Sequence, residues 1–296
     1  TNGSLIMGGD FGGMVGDQLI GSLDISASDI VRFEDSIISG GAVRVDAGND
    51  IQFGFLPGHP GYPDFDLSIT GTQIDMIAGH SIVDNVILGT HLTATDMGDI
   101  NLEGTTGDVR FGLASVDPGR FVRITQAVDK YVGAGPFGFI DTPETTNLEV
   151  TITDGWLIFG GDFGGVSGAQ SILSVDGFAN EFVRVEDDLT IGDFAKFRAN
   201  DNVEFDGFVH AQNLVDAHAG MDGTGQVLFI SPGQSLAGQT IALRAGNDTG
   251  LAMANIDART NDPMFYGAGL GGTRPDTMIF EQDAEIPSSA LPLTSQ

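Results

Sequence analysis

Short runs of alternating apolar and polar residues dominate the chain. Ser22-Leu-Asp-Ile-Ser26, Asp29-Ile-Val-Arg-Phe33, Ala42-Val-Arg-Val-Asp46 and Asp50-Ile-Gln-Phe53 are typical, and Gly98-Asp-Ile-Asn-Leu102 and Gly107-Asp-Val-Arg-Phe111 follow later. A period of two turns one side of a segment to a core and the other to water, so these runs predict strands. Gly, Asp and Asn punctuate them as turn residues. No 12-residue stretch keeps a 3.6-residue period without glycine. Gln212–His218 is the best helix candidate. The chain reads as almost entirely β.

The pattern repeats. Residues 1–53 align without a gap on residues 153–205: Thr1-Asn-Gly-Ser-Leu-Ile-Met-Gly-Gly-Asp-Phe-Gly-Gly13 matches Thr153-Asp-Gly-Trp-Leu-Ile-Phe-Gly-Gly-Asp-Phe-Gly-Gly165. An extra stretch near 206–230 follows in the second copy, and likeness resumes between Gly71–Gly79 and Gly238–Gly246. The expected units are 1–152 and 153–296, with 267–296 as a candidate assembly segment. A finer repeat lies within each copy. Ile or Phe followed by Val-Arg and then Phe, Ile or Val occurs at 30–33, 121–124 and 182–185, and Ala-Gly-Asn-Asp occurs at 47–50 and 245–248. One coil of short strands cannot bury its apolar side alone, whereas stacked coils build a continuous core. This predicts a β-solenoid. Tandem β-sandwiches, whose short strands show similar spacing, are the alternative.

Charge narrows the function. The chain carries 41 Asp and Glu against 12 Lys and Arg, a net charge of −29. That excludes nucleic acid, which needs clustered cations, and docking on anionic lipid. An apolar fraction of 41% is too high for a disordered acidic tail. No apolar run is long enough to cross a membrane as a helix, so no membrane insertion is expected. With no cysteine, disulfides, thiolate metal sites and a cysteine nucleophile are all ruled out, in keeping with export. The first residues show no basic-then-apolar signal, so any targeting segment is expected to lie outside this sequence.

Ala47-Gly-Asn-Asp-Ile-Gln-Phe53, Ile74-Asp-Met-Ile-Ala-Gly-His-Ser-Ile82, Leu92-Thr-Ala-Thr-Asp-Met-Gly-Asp-Ile-Asn-Leu102 and Ile256-Asp-Ala-Arg-Thr-Asn261 resemble the filamentous-haemagglutinin-like repeats of large bacterial surface and secreted proteins. The resemblance covers most of the chain and is compositional. It implies a right-handed parallel β-helix, an extracellular or cell-surface location, and an adhesive or fibre-forming role. It supplies no catalytic residues. Leu56-Pro-Gly-His-Pro-Gly-Tyr-Pro63 and Gly133-Ala-Gly-Pro-Phe-Gly138 interrupt the regular coils.

Candidate chemistry is sparse. In the duplicated Gly-Gly-Asp-Phe-Gly-Gly loop, Phe11 and Phe163 are expected to plug the core, while Asp10 and Asp162 are the candidate Ca²⁺ ligands. No other cofactor is expected. The five histidines form no metal motif, and no Gly-x-Ser-x-Gly elbow is present. Acidic pairs such as Glu34-Asp35, Glu186-Asp-Asp188 and Asp96 with Asp99 read as solvated corners. Arg32, Arg123 and Arg184 should point outward and pair with carboxylates on neighbouring coils. The expected role is therefore not enzymatic: a structural subunit or segment of a bacterial extracellular fibre, adhesin or sheath. Its expected partner is itself, head to tail. Leu5, Ile6 and Met7 of one copy should meet Met278, Ile279 and Phe280 of the next. A β-helical carbohydrate-active enzyme or a Ca²⁺-dependent binding module is the alternative.

Overall fold

The computed structural model describes residues 3–8, 18–54, 67–86, 90–110, 113–116, 120–132, 147–160, 170–186, 188–222, 225–230, 236–238, 240–245 and 277–282. Phe11, Phe163, Asp10 and Asp162 lie outside these residues.

Every described strand pairing is parallel, and strands recur in a three-step order that lapses among the described residues between β12 and β13, β15 and β16, and β28 and β29. The first face holds β1 (Leu5–Met7), β4 (Val31–Phe33), β7 (Ile51–Phe53) and β10 (Ile82–Asp84). It continues at the same place in later coils with β15 (Lys130–Val132), β17 (Leu157–Phe159), β20 (Val183–Val185), β23 (Val203–Phe205) and β26 (Val227–Phe229). The second face holds β2 (Gln18–Ile20), β5 (Ile37–Ser39), β8 (Leu67–Gly71), β11 (Thr90–Ala94) and β13 (Leu113–Val116), then β18 (Gln170–Ile172), β21 (Leu189–Ile191), β24 (Val209–Ala211) and β27 (Leu236–Ala237). The third face is one unbroken sheet of 11 strands. These are β3 (Leu23–Ala27), β6 (Val43–Ala47), β9 (Ile74–Ala78), β12 (Ile100–Gly104), β14 (Phe121–Gln126), β16 (Asn147–Ile152), β19 (Ser174–Ala179), β22 (Phe194–Ala199), β25 (Leu214–His218), β28 (Thr240–Ala245) and β29 (Thr277–Gln282). The architecture is a three-sided β-solenoid. Sandwich sheets, joined by antiparallel pairing, are not what the chain forms.

The alternation read from the sequence sets the burial. In β6, Val43, Val45 and Ala47 point inward while Arg44 and Asp46 are exposed. Register stacks like upon like. Val43 lies beside Ile74, Ile74 beside Ile100, and Ile100 beside Val122. Ala27, Ala47 and Ala78 form a column of small residues at the corner leading back to the first face. Inside the first face, Phe33 and Phe53 stack with ring centroids 5.7 Å apart. On the other unit, Phe159 and Phe205 both meet Phe197 edge to face, at 5.6 and 5.8 Å. Seven strands of the first unit, β1 to β7, recur as β17 to β23 at an offset of 152 residues. The third-face sheet passes from one unit to the next without a break, through β14, β16 and β19.

The helix expected over Gln212–His218 is instead strand β25. Val215 and Ala217 are buried, and Asp216 and His218 are partly exposed, which is a period of two. Stacking between β22 and β28 supplies the backbone partners that an isolated short helix would lack.

The turn from β11 to β12 shows how tightly coils approach. Asp96 and Met97 both have positive φ (54° and 64°), and the Gly98 N–H donates to the Thr95 carbonyl at 3.0 Å. A Cβ on Gly98 would fall 1.6 Å from the Thr72 backbone oxygen of the preceding coil. Gly98→Ala should therefore force two coils apart and lower stability by about 1–3 kcal/mol, read by chemical denaturation. An unchanged midpoint would contradict this packing.

Candidate functional site

Coil length varies most at the corner from first to second face; from third to first face the connection after β25 spans 219–226 against 28–30 after β3. From first to second face, the connections after β1, β7 and β17 span residues 8–17, 54–66 and 160–169, while those after β4 and β20 span only 34–36 and 186–188. From second to third face, connections run from one residue (173, after β18) to five (95–99, after β11). Both copies of Gly-Gly-Asp-Phe-Gly-Gly, and Leu56–Pro63, belong to this variable corner. In repeat folds, insertions gathered on one side are the usual place for recognition.

The described side chains beside this corner form a duplicated arginine station. The Arg32 Nε and Nη2 donate to Gln52 Oε1 at 3.1 and 2.9 Å, and Glu34 lies 3.6 Å away. In the second unit, Arg184 donates to Glu204 Oε2 at 2.7 and 2.6 Å, with Glu186 at 3.9 Å. Both arginines point outward and pair across coils, but only Arg184 meets a carboxylate there; Arg32 meets the neutral Gln52, and Glu34 belongs to its own coil. Arg123 carries the same local motif but sits on the third face, so the three do not form one row.

Arg123 instead belongs to a network along the third face. Its Nη1 reaches Asp99 at 2.7 Å and Asn101 at 3.2 Å, and its Nε reaches Glu149 at 2.7 Å. Asn101 donates to Asp75 at 2.7 Å, and Arg120 lies 3.0 Å from Asp99. Burial by itself would raise the Asp99 carboxyl. The hydrogen bonds from Arg123 and the Phe121 N–H, with the two arginine charges, bring it below the ordinary carboxylate value. The stability Asp99 contributes is complete above its unfolded value near 3.8 and is lost as pH falls through the lowered folded value. Asp99→Asn should cost about 1–3 kcal/mol at neutral pH and flatten the acid limb of the stability profile; an unaltered acid limb would contradict the network.

Polar groups enter the core in the second half of the first unit. Along the first face the inward column Met7–Phe33–Phe53 ends in Asp84. The Asp84 carboxylate accepts from the Val86 N–H at 3.0 Å, the Thr90 N–H at 2.5 Å and the Thr90 hydroxyl at 2.8 Å. It thereby holds the ends of the connection to β11. The next regular ladder starts at Lys130, which aligns with the buried Leu157. Its Nζ donates to the Val109 carbonyl at 2.6 Å. Val109 makes only an isolated bridge to Ile82, so the ammonium serves an oxygen at a place where strand pairing lapses. Burial pushes the Lys130 amine down to about 8, although Asp108 pulls it back up.

The other expected residues are scattered. His210 is buried on the second face, where burial lowers its pKa, and His218 lies on the third. Among the described residues, no three His, Asp or Glu side chains form a metal-binding group. The proposed assembly residues sit on edge strands. β1 has β4 as its one described neighbour, and β29 has β28. Ile6 is 54% exposed, and register sets Met278 and Phe280 beside the buried Ile241 and Leu243, with Ile279 beside Ala242. No protein-family model, curated protein or solved structure matches the chain.

Proposed function

We propose that the chain is a structural segment of an extracellular bacterial fibre, adhesin or sheath, joined head to tail to further copies or repeats of itself. The observation that carries this reading is the third-face ladder, whose 11 parallel strands leave β3 and β29 each with one described neighbour. The internal duplication supports it. β1 repeats β17, and the side of β17 that β1 has free among the described residues is covered, within the same chain, by β15. A heterologous contact of this kind does not close, and so extends. We also propose Ca²⁺ at Asp10 and Asp162, tested by a melting shift on chelation.

The test uses the backbone edge of β1. The Leu5 N–H donates inward to Ile30 O at 2.7 Å, so the neighbouring Ile6 turns its N–H to the free side. Sedimentation and electron microscopy should show particles that lengthen with concentration, and Ile6→Pro should stop that growth while leaving the fold intact. Particles that never exceed a dimer at any concentration would overturn the reading.

A further inference from the structure

The outward side of the third face carries most of the ordered charge on the described strands. Its two outward rows carry Arg44, Arg123, Lys196, Arg198 and Arg244, five of the 12 Lys and Arg in the chain. Against them stand seven carboxylates: Asp24, Asp46, Asp75, Glu103, Glu149, Asp176 and Asp216. Over β3 to β28 these rows are thus within two charges of neutral in a chain of net −29.

The charges are also ordered. One row, followed by register, passes Asp46, Glu103, Thr151, Arg198, His218 and Arg244. From β6 to β28 its charges are acidic before β16 and basic after it, and beyond β28 the register continues to Glu281. Glu103 lies two strands before β16 and Arg198 two strands after; Asp46 lies four before and Arg244 four after. In the adjacent row, Arg123 and Asp176 stand one strand either side. A two-fold axis running along β16 sets every one of these opposite its complement on a second copy. Two oppositions are unfavourable, Asp75 with Asp216 and Glu149 with itself, but each of these carboxylates already has an arginine: Arg44, Arg244 and Arg123. The Arg198 side chain is 41% exposed, with its Nη2 held by Asp176 at 2.5 Å. The cationic side chains are braced for presentation, with Arg123 over the Phe121 ring at 4.3 Å and Lys196 over Phe194 at 4.5 Å. Ten strand spacings by five residues give a face of roughly 50 by 16 Å, on the order of 800 Å² per copy, the size of a standard interface.

We propose that two copies associate side by side through this face, antiparallel, about the β16 axis. The contact is distinct from end-to-end growth and closes at two. Sedimentation in the Ile6→Pro background isolates it. The chain should dimerise at about 20 mM salt and dissociate at about 500 mM, because exposed pairs are screened. Asp46→Arg with Glu103→Arg, and separately Arg198→Glu with Arg244→Glu, should each weaken the dimer at least about tenfold, and an equimolar mixture of the two variants should form a one-to-one dimer. If the second variant fails to fold because Asp176 and Asp216 lose their partners, the first, which changes outward positions outside those pairs, still decides. A chain that stays monomeric at low salt, or a dimer that Asp46→Arg with Glu103→Arg leaves unchanged, would overturn the proposal.

Discussion

Gly177→Ile should destabilise the chain by about 3 kcal/mol, and adding Phe159→Met should return most of that loss. Gly177 occupies an inward position of β19, and a Cβ there would lie 2.9 and 3.0 Å from Phe159 ring atoms and 3.1 Å from Leu157 Cδ2. Phe159 is fully buried and is held edge to face against Phe197, so its ring has nowhere to turn. The first unit fills the same two places with Met7 and Ile25, both buried. One coil later the exchange is reversed: Phe33 with Val45 in the first unit becomes Val185 with Phe197 in the second. Bulk moves across the core between the first and third faces while each layer stays full. This is what close packing demands when a repeat diverges. A double-mutant cycle by urea denaturation should give a coupling of about 2 kcal/mol between positions 159 and 177. Additive losses would show that the two units fill their cores independently of this exchange.

The same positions show what the sequence could reveal. Strands and corners were legible because inward and outward residues alternate strictly, as in Val43–Ala47, and because seven strands repeat at one offset. That Arg32 and Arg184 point outward was legible for the same reason, though not which residue each would meet. The Asp99 network was not. Asp99 meets Arg123 24 residues away, Arg123 meets Glu149 26 away, and Arg32 meets Gln52 20 away. With no constant coil length, spacing alone does not say which residues become neighbours. Gln212–His218 misled because β25 has a single β-branched residue, Val215, and its strand state is set by the coils on either side. Asp84 and Lys130 left a fainter mark: Ile82-Val-Asp84 repeats Ile51-Gln-Phe53 with a carboxylate in the place of the ring. A reader holding the register would have asked where that charge goes.

Between pH 7 and about pH 10.5 the native chain should gain about 3 kcal/mol of stability relative to Lys130→Met. Burial holds the Lys130 amine at about 8 in the folded chain, against an ordinary value of 10.5. Below pH 8 both folded and unfolded chains carry the proton, and the folded one bears the full cost of burying the charge. Between 8 and 10.5 the unfolded chain binds more protons than the folded one, so stability rises with pH. Above 10.5 both are neutral and the cost is gone. The difference between 10.5 and about 8 corresponds to about 3 kcal/mol at 1.36 kcal/mol per unit. The carboxylates cannot produce this slope, since they are ionised throughout the window. Every other ionisable group is common to both chains, so the difference cancels it. At neutral pH the two proteins should lie closer together than a lost hydrogen bond suggests, because Lys130→Met frees the Val109 carbonyl of its 2.6 Å donor while relieving the buried charge. Denaturation of both chains at several pH values reads the effect directly. Parallel stability profiles from pH 7 to 10.5 would mean that Lys130 reaches water in the folded state, and that the core around it is open rather than sealed.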